Sequence, residues 1–92
     1  MIKPRYSNEE VADLGEAVFE RDVAAKLRGQ DLRNFVAIDV HSGEHEVDAE
    51  AGLAIKRLLD RRPTGQFWLR RVGSGIAHTF GPRLQFKPPW DP

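Results

Sequence analysis

The sequence predicts an α+β fold, a two-layer sandwich of helices on an antiparallel sheet with the element order α-β-β-α-β-β. Three observations lead there. A capped stretch with helical spacing of apolar residues opens the chain, a β-branched run with a glycine turn follows, and helix and hairpin signals then repeat in residues 48–80. The 92 residues, 40% of them hydrophobic, suffice for one core. A single domain is expected over residues 1–83, with residues 84–92 as a proline-rich extended tail.

The first helix is announced by Ser7 and Glu10, spaced as a capping box in which each side chain accepts a hydrogen bond from the other residue's backbone N–H. No proline interrupts residues 9–27. Val11, Leu14, Val18 and Ala25 make one approximate stripe, and Phe19, Val23 and Leu27 a second beside it. Gly15 lies on the first stripe, where a missing side chain lets another backbone come close. Arg28-Gly29 reads as the stop.

Phe35 to Val40 reads as a strand and Val47 belongs to its partner, with Gly43 free to take positive φ in the turn between them. With Ser42 and Gly43 at the centre, Val40 pairs with His45, Asp39 with Glu46 and Ile38 with Val47. Side chains alternate along a strand, so Val36, Ile38, Val40 and Val47 share a core face while Asp39, His41, Glu44 and Glu46 share the other.

Asp48 is the expected N-cap of a second helix from Ala49 to about Arg61. Ala51, Ile55, Leu58 and Leu59 fall on its inner side, Lys56, Arg57 and Asp60 on its outer side, and Leu53 points out with the polar set. Pro63-Thr64-Gly65 ends it. Gln66 to Val72 and Ile76 to Phe80 then form a hairpin around Gly73-Ser74-Gly75. With Val72 opposite Ile76, one side carries Trp68, Val72, Ile76 and Phe80, the other Phe67, Leu69 and Ala77, and His78 lies beside Arg70. Both faces are apolar, so both need cover. A bare sheet face would take a twin subunit, which makes a homodimer the expected state.

Composition excludes several classes. Without cysteine there is neither a disulfide framework nor a cysteine metal site, and the cytoplasm is the expected compartment. No apolar run at the N-terminus resembles a signal peptide, and none elsewhere is long enough to span a bilayer. Charge is balanced overall but polarised: residues 1–50 hold 12 acidic and 6 basic side chains, residues 51–92 hold 2 acidic and 8 basic. The halves either screen each other or present opposite faces to partners.

Four sets of residues bear on function. Asp39, His41, Glu44 and Glu46 offer oxygen and imidazole ligands, but two carboxylates opposite each other on a strand pair are also an ordinary solvated face; no metal and no cofactor are expected. His78 beside Arg70 would suit general acid–base work on a phosphodiester, although no carboxylate base accompanies them. Arg57, Arg61, Arg70 and Arg71 with nearby aromatics have the composition of a nucleic-acid surface. Phe86 and Trp90, set among prolines, are typical anchors for an interface, and Leu53 on the outer side of the second helix adds to it.

Residues 35–48 resemble the core of a group of small, uncharacterised bacterial proteins with the hairpin pattern VAID-x-x-(S/T)-GE-x-E-(V/I)-D. Their helix start Y-S-x-E-E-(V/I)-A is matched by Tyr6 to Ala12, and their strand W-L-x-R-(V/I)-G by Trp68 to Gly73. The likeness covers most of residues 6–81, leaves the tail outside, and implies an accessory protein. Leu69 to Phe80 is also similar to the LRVG-x-x-R-x-x-Y hairpin of RelE/ParE-type toxins, which include ribosome-dependent RNases. That motif's later arginine and tyrosine fall near Ile76, Ala77 and Phe80, so the likeness extends to the hairpin and not to the activity. The expected function is a non-enzymatic protein–protein interaction module, antitoxin-like or accessory and regulatory, using Leu53, Phe86 and Trp90. The alternatives are nucleic-acid binding through the four arginines and a small nuclease at His78 and Arg70.

Overall fold

In a computed structural model that describes residues 5–74 and 77–80, two helices and four strands follow in the expected order. Helix α1 (Asn8–Val18) begins at the capping box, with Ser7 N donating to Glu10 Oε1 at 2.9 Å and Glu10 N donating to Ser7 Oγ at 3.2 Å. The helical path runs on to Leu27 with changed winding, as a π turn over Phe19–Val23 and a 3₁₀ turn over Ala24–Leu27. The buried positions account for this. Val11, Gly15, Phe19, Val23 and Leu27 recur every fourth residue, a spacing that α winding would carry round the helix by about 40° each step. The wider π turn returns part of that rotation and keeps Phe19 and Val23 on the sheet. Ala25, expected on the buried stripe, is exposed instead. Gly29, at φ 86°, ends the segment.

Strands β1 (Phe35–Asp39), β2 (His45–Asp48), β3 (Phe67–Arg71) and β4 (Ala77–Phe80) make an antiparallel sheet of order β2-β1-β3-β4. Val36, Ile38 and Trp68 pack with Val11, Val18, Phe19 and Val23 on one face. Ala37, Phe67 and Leu69 pack on the other with Ala54 and Leu58 of α2 (Ala51–Arg61). The α+β class, antiparallel pairing and order are as expected; the layering is helix–sheet–helix where two layers were expected. The central strands are apolar on both faces, so each face takes a helix. The bare face that argued for a twin subunit is therefore occupied by α2.

Both hairpin registers differ from expectation. Ile38 pairs with His45 and Val36 with Val47, two residues from the expected alignment, so every side chain keeps its face. Asp39 sets this longer loop: its O accepts from Gly43 N at 2.8 Å, its N donates to Glu44 O at 2.9 Å, and Gly43 turns at φ 80°. In the second hairpin Leu69 pairs with His78 and Arg70 with Ala77, a shift of one residue that reverses faces. Val72 N donates to Asn34 O and Gly73 N to Leu32 O, which holds the chain on the β1 side before it reverses. A Cβ on Gly73 would stand 2.7 Å from Leu32 Cβ.

Helix α2 begins at Ala51 and not at Ala49, because Asp48 is still in β2, paired with Phe35. Asp48 Oδ1 accepts from Glu50 N at 2.9 Å, and Glu50 is the N-cap. The helix lies over β1 and β2 and only grazes β3. Ala54 and Leu58 are buried, while Leu59, expected on the inner side, is 45% exposed. Among the described residues no helix is long and apolar enough to cross a membrane.

Candidate functional site

The polar side chains converge at the end of the sheet where the β1–β2 loop, the α2–β3 loop and the segment before α1 meet. Asp39 is fully buried there. Its Oδ2 accepts from the Ser42 hydroxyl at 2.7 Å, its Oδ1 accepts from His41 N at 3.3 Å, and Arg62 Nε lies 4.0 Å from Oδ2. The D-x-H-S sequence lets the carboxylate satisfy the loop that follows it, as short polar side chains do in turns. Asp39 was expected on a solvated face opposite Glu46; the changed register places Glu46 opposite Ala37, and packing of the α2–β3 loop covers the carboxylate.

Gln66 is also buried, and it is the residue that sequence reasoning missed. Its Oε1 accepts from Tyr6 N at 2.8 Å and its Nε2 donates to Tyr6 O at 2.7 Å, so it clamps the entry to α1 against the start of β3. The two bonds fix the amide orientation. His41 Nε2, 3.1 Å from the same Oε1, must then be the donor, and the His41 ring meets Tyr6 edge-on at 5.4 Å. The only sequence signal for this clamp was a glutamine beginning an otherwise apolar strand. Among the described residues every buried side-chain nitrogen or oxygen has a hydrogen-bond partner.

Two shallow clefts flank the His41-Ser42 loop, one of about 460 Å³ beside Val18 and Asp22, the other of about 290 Å³ beside Arg61 and Thr64. The Ser42 hydroxyl and the His41 imidazole are not aligned with each other: Ser42 donates to the buried Asp39 carboxylate, and His41 Nε2 to Gln66. The four metal-ligand candidates do not gather around a point. Glu44 and Glu46 meet arginines, and no group of three potential ligands occurs among the described residues.

The arginines of α2 are engaged by the acids of the first hairpin. Arg57 Nη2 is 2.8 Å from Asp48 Oδ2, Arg61 pairs with Glu46 and lies 3.4 Å from Glu44 Oε1, and Arg62 pairs with Glu44. The Arg62 hydrogen bond holds the Glu44 carboxyl below its ordinary range. The Glu50 N–H, followed by Arg57, does the same for Asp48, and Glu46 raises Arg61. Burial, with Lys26 nearby, pushes the His45 imidazole down. Acidic and basic halves thus screen each other across β2 and α2.

Arg70 and Arg71 stand apart from that network and from each other. Arg70 lies 4.3 Å over the Phe19 ring on the α1 side and donates to the carbonyls of Arg71 and Val72. Arg71 lies 4.4 Å over Phe35 on the α2 side and donates to Arg33 O at 2.8 Å. The four arginines of the nucleic-acid reading therefore share no common face. The His78–Arg70 site is not formed either, because the one-residue shift puts His78 with Leu69, on the opposite face from Arg70. Leu53 is exposed on α2 as expected, and Phe86 and Trp90 lie outside the described residues. Comparison with protein-family models, curated proteins and solved structures returns no significant match.

Proposed function

We propose that this chain is a non-enzymatic protein–protein interaction module, antitoxin-like or accessory and regulatory, that associates through Leu53 and the apolar residues Phe86 and Trp90, with a second copy of itself as the first partner to test. One contrast carries the reading. The ionisable groups that catalysis or phosphate binding would need at α2 are occupied by each other, whereas Leu53 and Leu59 of the same helix are 41% and 45% exposed. Exposed leucines on a short helix over a small domain suit a partner surface. Sedimentation equilibrium of the full chain tests it: Leu53→Glu and the pair Phe86→Ala, Trp90→Ala each weaken association at least tenfold without changing the circular dichroism. Association unchanged in both variants refutes the proposal.

Nucleic-acid binding is the second reading, and Arg70 and Arg71 favour it, since their recorded partners among the described residues are carbonyls and rings and not carboxylates. It requires retention on RNA or DNA that falls steeply with salt. Absence of retention at low ionic strength removes it.

A further inference from the structure

The two clefts beside the His41-Ser42 loop differ in charge. At the smaller one the cations are engaged: Arg61 and Arg62 pair with Glu46 and Glu44, and the buried Asp39 carboxylate forms part of the wall. The larger one, about 460 Å³, lies between the helical segment and the β1–β2 loop. The π turn that keeps Phe19 and Val23 on the sheet leaves Arg21 and Asp22 on the rim of this cleft, and Lys26 joins them from the 3₁₀ turn. Val18 and Val40, both nearly buried, supply its apolar part, and Ser42 and Gly43 line the far side.

Donors exceed acceptors along that rim. Arg21 gives Nε, at 3.0 Å, and Nη2, at 2.9 Å, to one oxygen of Asp22, which balances the carboxylate and leaves Nη1 over. Lys26 makes no ion pair among the described residues. Its charge is felt by Asp22, whose carboxyl Arg21 already holds down, and by His45, whose protonation it opposes. In the loop, His41 N, Gly43 N and Glu44 N find acceptors in Asp39 Oδ1, Asp39 O and Ser42 Oγ. Ser42 N finds none among the described residues. An ammonium, a guanidinium edge and a backbone N–H around one cleft suit an oxyanion, for which charge-assisted hydrogen bonds are the strong ones. A cation would meet only Asp22, which is taken.

We propose that this cleft binds a small organic anion, its phosphate or carboxylate head held by Lys26, Arg21 and the Ser42 N–H and its apolar part lying against Val18 and Val40. A space of about 460 Å³ falls within the range of ligand pockets and exceeds the need of a bare ion. The site goes beyond the interaction-module reading and is independent of it, since Leu53 belongs to α2 on the other face of the sheet.

Two-dimensional NMR of the isotope-labelled full chain, titrated with inorganic phosphate, acetate and butyrate at an ionic strength fixed by sodium chloride, tests this. Saturable shifts should centre on the Ser42 and Gly43 amides. Butyrate should bind several-fold more tightly than acetate, because its chain reaches the valines, and whichever of phosphate and acetate binds more tightly names the head group. Lys26 and Asp22 are exposed, so their variants should fold. Lys26→Gln should weaken binding at least about tenfold, the worth of one hydrogen bond to a charged group, and Lys26→Arg should restore most of it. Asp22→Asn should tighten binding several-fold by releasing Arg21. A cation at position 26 also suits the end of a helix, so binding and not Tm is the readout. Absence of saturable shifts at Ser42 and Gly43 overturns the proposal, as does the same response to chloride alone or an unchanged affinity in Lys26→Gln. Leu53→Glu should bind these anions as the wild type does, so this site and the interaction surface can each fail without the other.

Discussion

Gly15→Ala inverts the usual sign of a helix substitution. Inside an exposed helix, alanine for glycine is worth up to about 1 kcal/mol. At Gly15 the added Cβ would stand 2.1 Å from Trp68 Cγ, 2.4 Å from Cβ and 2.5 Å from Cδ1. Trp68 cannot swing aside by rotating its ring, because its own Cβ is in the clash and its indole is buried against Phe19 at 5.5 Å. Helix α1 must therefore move off the sheet by at least about 1.3 Å to restore ordinary contact, an overpacking cost at the upper end of about 1–3 kcal/mol. Net of the propensity gain, about 2 kcal/mol of stability is lost, or about 8–16 °C in Tm for a domain of this size. Thermal unfolding followed by circular dichroism measures it, with Gly52→Ala as the control, since nothing lies within 4 Å of a Cβ there. Gly52→Ala should leave Tm level or raised. A second substitution, Trp68→Ala, which removes the clashing Cγ and Cδ1 and leaves only Cβ, should recover part of the Gly15→Ala loss in a double-mutant cycle. A Tm for Gly15→Ala at or above wild type would refute the packing argument.

Asp39→Ala removes the acceptor of the Ser42 hydroxyl and the His41 N–H and should cost about 2–3 kcal/mol in urea unfolding, whereas Asp39→Asn retains acceptor capacity and should cost less than half of that; equal losses would mean that the charge and not the loop is what matters. His45 gives a pH dependence. Its imidazole is held below the ordinary value of 6.5 by burial first and by Lys26 next, so the unfolded chain takes up the proton before the folded one. Stability should therefore fall as pH drops through 6.5 and level off below the folded value, a slope that His45→Asn should flatten. Glu44 and Asp48 act in a separate window: their carboxyls are lowered in the fold, so their contribution is present above their ordinary values of 4.5 and 3.8 and disappears as pH falls further.

What was legible in the sequence was whatever local chemistry decides. Ser7 and Glu10 make a capping box whose partners are three residues apart, and it forms as read. The alternation of Val36, Ile38 and Val47 fixes their common face, and a two-residue register change leaves it intact. What was not legible depended on atoms distant in the chain. The π turn after α1 follows from where the sheet lies beneath it. The burial of Asp39 follows from the α2–β3 loop, and the Gln66 clamp joins residues 60 apart in sequence. Leu59 belongs to the inner stripe by angle alone; it is exposed because α2 sits to one side of the sheet, which no periodicity reveals.

The second hairpin shows why site prediction is more fragile than fold prediction. Its strands, its antiparallel pairing and its place beside β1 do not depend on whether the reversal begins at Val72 or after it. The His78–Arg70 pairing depends on nothing else. A single residue of register, held by the Val72 and Gly73 N–H groups on Asn34 and Leu32, turns His78 to the face opposite Arg70 while the core on both faces is still satisfied. Charge follows the same logic. The polarity between the halves survives any register, but which carboxylate each arginine meets is decided by the two-residue offset that brings Glu46 and Asp48 alongside α2. With those cations engaged by carboxylates, Leu53 and Leu59 are the large apolar side chains that α2 leaves exposed.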